Sequence, residues 1–132
     1  MFHHADVTER IIASFYRVYN TLGYGFLEKV YQNAMKVELI SRGLAVIPQA
    51  PLDVRYAGVV VGEYFADFLV ENLVIVELKA AEQVLPEHHA QLLNYLKATD
   101  INIGLLLNFG PKPEVRRKVY ETARQRPGSV GV

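Results

Sequence analysis

Val74-Ile75-Val76-Glu77-Leu78-Lys79-Ala80 is the stretch on which the reading of this chain turns. It has the composition of a buried β-strand, yet it carries two opposite charges. Glu77 and Lys79 are two residues apart and so share one face of that strand. The preceding strand, expected over 59–70, holds Asp67 between Ala66 and Phe68, again an apolar setting. Charges in such places are costly unless they are paired or bind a metal. Two accounts therefore stand side by side. One is a structural ion pair, Glu77–Lys79 or Asp67–Lys79. The other is a divalent-metal site in which Asp67 and Glu77 are ligands and Lys79 points at the same centre. Carboxylate oxygens favour a hard ion such as Mg²⁺ or Mn²⁺. The second account makes a geometric demand. A two-residue loop of Glu71-Asn72 would set residue 67 against 76 and turn Asp67 away from Glu77. A three-residue loop or a bulge sets 67 against 77.

Working outward, residues 6–21 carry Val7, Ile11, Phe15 and Val18 at helical spacing, and Gly23-Tyr24-Gly25 breaks the pattern. A second helix is expected over about 26–42, closed by Gly43. Residues 44–56 read as a strand placed at an edge or interrupted, because of Pro48 and Pro51. Ala57-Gly58 is turn chemistry, and strands at 59–70 and 73–80 follow in an antiparallel meander, since their connections are too short for crossovers. Pro86 suits the first turn of a helix running to Ala98. Ile101 to Phe109 is nearly all apolar, the signature of a strand covered on both faces. Glu114 to Arg124 is read as a last helix and 126–132 as a loose tail, so one domain spans 1–125. The expected class is α/β (α+β), a mixed sheet flanked by helices.

Composition narrows the function. With 132 residues, 51% of them hydrophobic, the chain can bury a core without staples. It has no cysteine, which removes disulfides, thiolate metal sites and cysteine nucleophiles. No apolar run reaches the ~20 residues that span a bilayer. The N-terminus lacks a secretory pattern, so a cytoplasmic protein without membrane contact is expected. Net charge is zero but uneven. Residues 1–111 hold 8 Lys/Arg against 12 Asp/Glu, and residues 112–132 hold 6 against 2. The basic end reads either as a solvated surface or as a phosphate-contacting arm. Glycine-rich nucleotide loops and serine-hydrolase elbows are missing.

Two further groups carry chemistry. Gln91 and Tyr95 are four apart, on one face of the helix after Pro86, with His88 one turn earlier. Glu28 falls in the first turn of the second helix, where a carboxylate is favoured by the helix dipole. It would serve as a third acidic ligand beside Asp67 and Glu77.

In order along the chain, Gly25-Phe26-Leu27-Glu28-Lys29-Val30-Tyr31, Ala66-Asp67, Val76-Glu77-Leu78-Lys79-Ala80, Ala90-Gln91-Leu92-Leu93-Asn94-Tyr95-Leu96 and Leu107-Asn108-Phe109-Gly110 resemble the small GxxExxY proteins. That family is placed in the PD-(D/E)XK nuclease superfamily, and its Gln-x-x-x-Tyr helix resembles that of RecB-type exonuclease domains. The resemblance spans roughly residues 5–120. It implies a restriction-endonuclease-like αβββαβ core and Mg²⁺- or Mn²⁺-dependent hydrolysis of DNA or RNA. By position it makes Asp67 and Glu77 metal ligands, Lys79 the catalytic lysine, Glu28 the helix-borne acid, and Gln91 and Tyr95 the supporting pair. The chain departs from relatives at Tyr19, often histidine, and at Phe65, often arginine. The alternative is a catalytically silent module of the same fold that binds nucleic acid or a protein partner. A homodimer is compatible with either.

Overall fold

The computed structural model describes residues 4–121. Two helices come first, α1 (His4–Leu22) and α2 (Glu28–Ser41), followed by β1 (Val46–Tyr56), β2 (Val59–Val70) and β3 (Val74–Lys79). Helix α3 (Pro86–Lys97) leads to β4 (Ile103–Phe109) and β5 (Pro113–Val119). The five strands form one sheet in chain order. Every neighbouring pair is antiparallel except β3 and β4, whose crossover is α3. This is the expected mixed sheet with its αβββαβ core. Among the described residues no helix is long and apolar enough to cross a membrane.

Strand alternation sorts side chains into two cores. Val74, Val76 and Leu78 of β3, with Leu105, Leu107 and Phe109 of β4, pack under Ile11, Phe15, Tyr31, Met35 and Leu39 of α1 and α2. Ile75 and Leu106 face the other way, against Leu92, Tyr95 and Leu96 of α3. Every residue of β4 is buried, as its apolar sequence demands for a strand covered on both sides. An aromatic column ties the first core together: Tyr31 stacks on Phe109 at 4.2 Å, and Phe15 meets Phe109 edge-on at 4.7 Å.

The last element corrects the sequence reading. Residues 114–119, expected within a helix, belong instead to β5, which pairs with β4 from Ile103↔Val119 to Phe109↔Pro113. Residues 122–124 of that expected helix, and the expected tail at 126–132, lie outside the described residues. Glu, Arg and Lys favour a helix by only fractions of a kcal/mol each. Against this stands β4, whose backbone would otherwise face a buried environment with one edge unbonded. The Gly110-Pro111-Lys112 turn returns the chain at once to fill that edge, and Val115 packs against the larger core. The Arg116–Lys118 cluster thus lies along an edge strand.

At the other end, the β1–β2 hairpin outruns the sheet. β3 pairs with β2 only at Phe68, Leu69 and Val70, while β1 follows β2 out to the Tyr56↔Val59 pair. The hairpin leaves Tyr56, Val59, Val61 and Phe65 exposed.

Phe15 joins α1 to the column above Phe109, so the core depends on it. Phe15→Ala is expected to lower stability by about 3–5 kcal/mol. In urea denaturation this appears as a lower midpoint with an unchanged slope.

Candidate active site

The β2–β3 turn has three residues, Glu71-Asn72-Leu73, with Glu71 and Asn72 both in the left-handed region at φ 54°. The observed pairs Phe68↔Val76, Leu69↔Ile75 and Val70↔Val74 extend by one step to Asp67 opposite Glu77. The odd loop required by the metal account is present. The strand ladder stops at that step, and the side chains take over the backbone bonding. Asp67 N–H donates to Glu77 Oε2 at 2.8 Å, and Leu78 N–H donates to Asp67 Oδ2 at 2.7 Å. The Asp67 carboxylate thus takes an N–H of β3 that a regular ladder would have bonded to a β2 carbonyl, and the Glu77 carboxylate reaches back to the Asp67 main chain. Ionised or not, each remains anchored to the main chain.

The environment strongly disfavours two charges here. Glu77 is only 5% exposed. Burial, and then the neighbouring Asp67 carboxylate, push its carboxyl up to about 8, although the Asp67 N–H and Lys79 pull the other way. Burial also raises Asp67, against the Leu78 N–H, Lys79, the Gln49 amide and Lys29, which favour its ionised form. Gln49 takes part from a left-handed backbone at φ 49°, an uncommon conformation inside a strand. Among the described residues neither acid lies within 4.0 Å of Lys79 as an ion pair. The simple ion-pair account therefore does not describe this arrangement. Lys79 shares the α3-facing side of β3 with Ile75 and Glu77, and its Nζ approaches Gln91 Oε1 at 3.5 Å, the long limit of a hydrogen bond. Tyr95, one helical turn beyond Gln91, is buried and stacks obliquely on Tyr64 at 5.4 Å. Burial and the Glu77 and Asp67 charges push its hydroxyl up to about 12, so it remains a proton donor at any working pH.

Glu28 reaches the pair from α2. Burial and the Asp67 charge raise its carboxyl, while Lys79 and the Ala80 N–H favour its charged form. Gln32, one turn on, connects the acids: its Nε2 donates to Asp67 Oδ1 at 3.0 Å and lies 3.4 Å from Glu28 Oε2. Among the described residues no three His, Asp or Glu side chains close into a cation cage by themselves. Asp67 and Glu77 form the tight pair, and Glu28 stands beside them through Gln32. Gln32 and Gln49 were missed in the sequence. The spacing of Gln32 from Glu28 was the available signal. Gln49 gave none, because it meets Asp67 only through the β1–β2 register, in which Pro48↔Phe68 and Ala50↔Ala66 set 49 opposite 67.

The spacing of Gly25, Glu28 and Tyr31 has a mechanical basis. Tyr31 OH donates to the Gly23 carbonyl at 2.6 Å and accepts from Phe26 N–H at 3.2 Å, pinning the loop ahead of α2. Gly25 sits at φ 118°, which other residues rarely adopt. Together they fix the helix start and so the place of Glu28. On the far side, fully buried Asn108 clamps the segment after Lys79. Its Oδ1 accepts from Ala81 N–H at 2.9 Å, and its Nδ2 donates to the Ala81 carbonyl at 3.0 Å and to Glu114 Oε1 at 2.9 Å. Glu114 in turn accepts from Val84 N–H. Gly110 is required here, because a Cβ would lie 2.3 Å from the Ala81 carbonyl oxygen. Tyr19 donates to the Gly110 carbonyl at 2.7 Å and braces the same turn. His88 is a helix cap: its Nδ1 accepts from Leu85 N–H at 3.0 Å.

Two outcomes follow. Glu77 titrates near 4.5 when unfolded and at about 8 when folded, so the folded chain holds the extra proton between those values. Stability in metal-free buffer should therefore fall as pH rises from about 5 to about 8. Thermal melting of Glu77→Gln across that range should give a flatter profile. Asn108→Ala orphans several buried partners at about 1–3 kcal/mol for each unsatisfied group. Its melting temperature should drop well below that of wild type, with faster hydrogen exchange over residues 80–85.

The chain matches the family model of the PD-(D/E)XK nuclease superfamily over residues 5–118. None of the curated proteins compared matches it in sequence. The crystal structure of SSO0001 is similar in fold, with a TM-score of 0.50 at 14% identity over 69% of this chain. The chain spans about half of that protein, 48% of its length. With a mixed sheet that opens at an Asp–Glu pair, followed by a lysine two residues on, the chain belongs to the PD-(D/E)XK nuclease superfamily.

Proposed function

We propose that this protein is a divalent-metal-dependent nuclease that hydrolyses phosphodiester bonds of DNA or RNA, with Mg²⁺ or Mn²⁺ as its ion. The observation that carries the reading is the three-residue β2–β3 turn, which sets Asp67 against Glu77 at the point where the strand ladder opens. The donor set suits such an ion. Two adjacent carboxylates, held by main-chain N–H groups and disfavoured as a bare pair of charges, gain from a hard cation between them. Asp67 and Glu77 would hold it, with Glu28 beside them. The bound ion would supply Lewis acidity toward the phosphate.

The remaining roles belong to the chain itself. Among the described residues Lys79 has no carboxylate within 4.0 Å, so its ammonium is available to meet charge developing on a phosphate oxygen. Gln91 Oε1 lies 3.5 Å from its Nζ. Tyr95 keeps its proton and offers a donor beside Glu77. Gln32 orients Asp67. The pinned Gly25–Tyr31 unit and the Gln91/Tyr95 pair support placing the chain with GxxExxY proteins and with the Gln-x-x-x-Tyr helix of RecB-type domains.

Mn²⁺ should raise the melting temperature of the wild type near neutral pH, by about 2–3 kcal/mol of stability at a hundredfold excess over Kd. Asp67→Ala and Glu77→Ala should show no such rise. Lys79→Ala should keep the rise and lose about 100- to 1000-fold in kcat on DNA and RNA oligonucleotides. A wild type that neither gains stability with Mn²⁺ nor cuts any oligonucleotide sinks the proposal.

A further inference from the structure

A cleft of about 200 Å³ opens on the far side of Glu28. Tyr24, Gly25 and Phe26 form one wall, and Ala80, Ala81, Pro111 and the acidic Glu82 contribute to the other. The cleft adjoins the acidic centre directly, because Ala80 N–H bonds to Glu28 and Lys79 precedes Ala80. Both walls are rigid. The first is held by the Tyr31 hydroxyl on Gly23 and Phe26. The second is held by the Asn108 amide on Ala81 and by the Tyr19 hydroxyl on Gly110. Tyr24 is nevertheless 56% exposed and Phe26 48% exposed. Two large rings are thus presented to solvent on a loop with little freedom to bury them.

We propose that this cleft receives one unpaired nucleobase, stacked on Tyr24 and Phe26, from a strand whose phosphate lies at Asp67 and Glu77. Resting on the nuclease reading, this names the substrate class as single-stranded or end-frayed nucleic acid. The slot has room for one planar ring system, and a base stacked in a duplex cannot enter it. Over residues 4–121 the acidic groups outnumber the basic ones 14 to 12, so the body as a whole exerts no net attraction on duplex phosphates. Affinity then rests on aromatic stacking, which acts on any base with an accessible face. Because the walls are already fixed, little ordering cost accompanies entry.

The test is binding of a short fluorescent single strand, read by anisotropy in metal-free buffer and with Mn²⁺, with cleavage followed in parallel. The duplex of the same sequence should bind more weakly than the single strand. Tyr24→Ala/Phe26→Ala should weaken single-strand binding at least about fivefold, while keeping the wild-type melting temperature and its Mn²⁺ response. An abasic strand should weaken the wild type and leave the double variant little changed. Tyr24→Ala alone serves as a second variant, since Phe26 leans edge-on against Tyr31 at 6.1 Å. Wild-type affinity in the double variant, preference for duplex, or no binding of single strands would overturn the proposal. Strands cut equally by wild type and double variant would remove the cleft and keep the nuclease. Strands bound through the two rings but never cut would remove the nuclease and keep the cleft.

Discussion

The arrangement depends on one exchange of bonds. Where β2 and β3 part, the Asp67 carboxylate takes the Leu78 N–H and the Glu77 carboxylate takes the Asp67 N–H. Two part-buried backbone donors are satisfied by carboxylates of the two strands, so the sheet can open without orphaning them. The opening gives the carboxylates a common space, and their burial makes two bare charges there unfavourable. A site of this kind is stable in a fold only if something else holds the strands on either side. Below the gap, the three pairs from Phe68 to Val70 do so, and the β3–β4 parallel ladder runs unbroken to Lys79↔Asn108.

The rest of the molecule is arranged to immobilise what surrounds that opening. Tyr31 has its ring in the aromatic column over Phe109 and its hydroxyl on the loop before Glu28, so packing of the main core is transmitted to the helix start. Asn108 sits beside Lys79 in the ladder and spends every polar atom of its side chain on the loop that leaves the site or on Glu114. The correction at β5 belongs to the same design. A helix at 114–124 would have removed Glu114 from Asn108 and left the buried β4 with an open edge.

Tyr19 and Phe65, the two positions set apart in the sequence reading, divide along these lines. Tyr19 is part of the brace, its hydroxyl bonded to the Gly110 turn. Phe65 is half-exposed on the projecting hairpin, two residues before Asp67, and adds apolar surface near the mouth of the site.

The sequence by itself determined the element order through β4, the apolar faces, and the pairing of Glu77 with Lys79 on one side of a strand. These are local periodicities, and two or four residues of spacing suffice to read them. It also posed the right question about the β2–β3 loop, since an even or odd count flips Asp67 across the sheet. Only tertiary structure answered it, because the backbone angles at Glu71 and Asn72 and the pairing beyond them fix the count together. Tertiary structure likewise decided that 113–119 is a strand, since the need to bond β4 outweighs weak helix preference. It alone brought Gln49 to Asp67 and Asn108 to Ala81, contacts between residues 18 and 27 positions apart. Such contacts leave no periodic trace, because they follow from how strands register and where they end rather than from how side chains alternate along them.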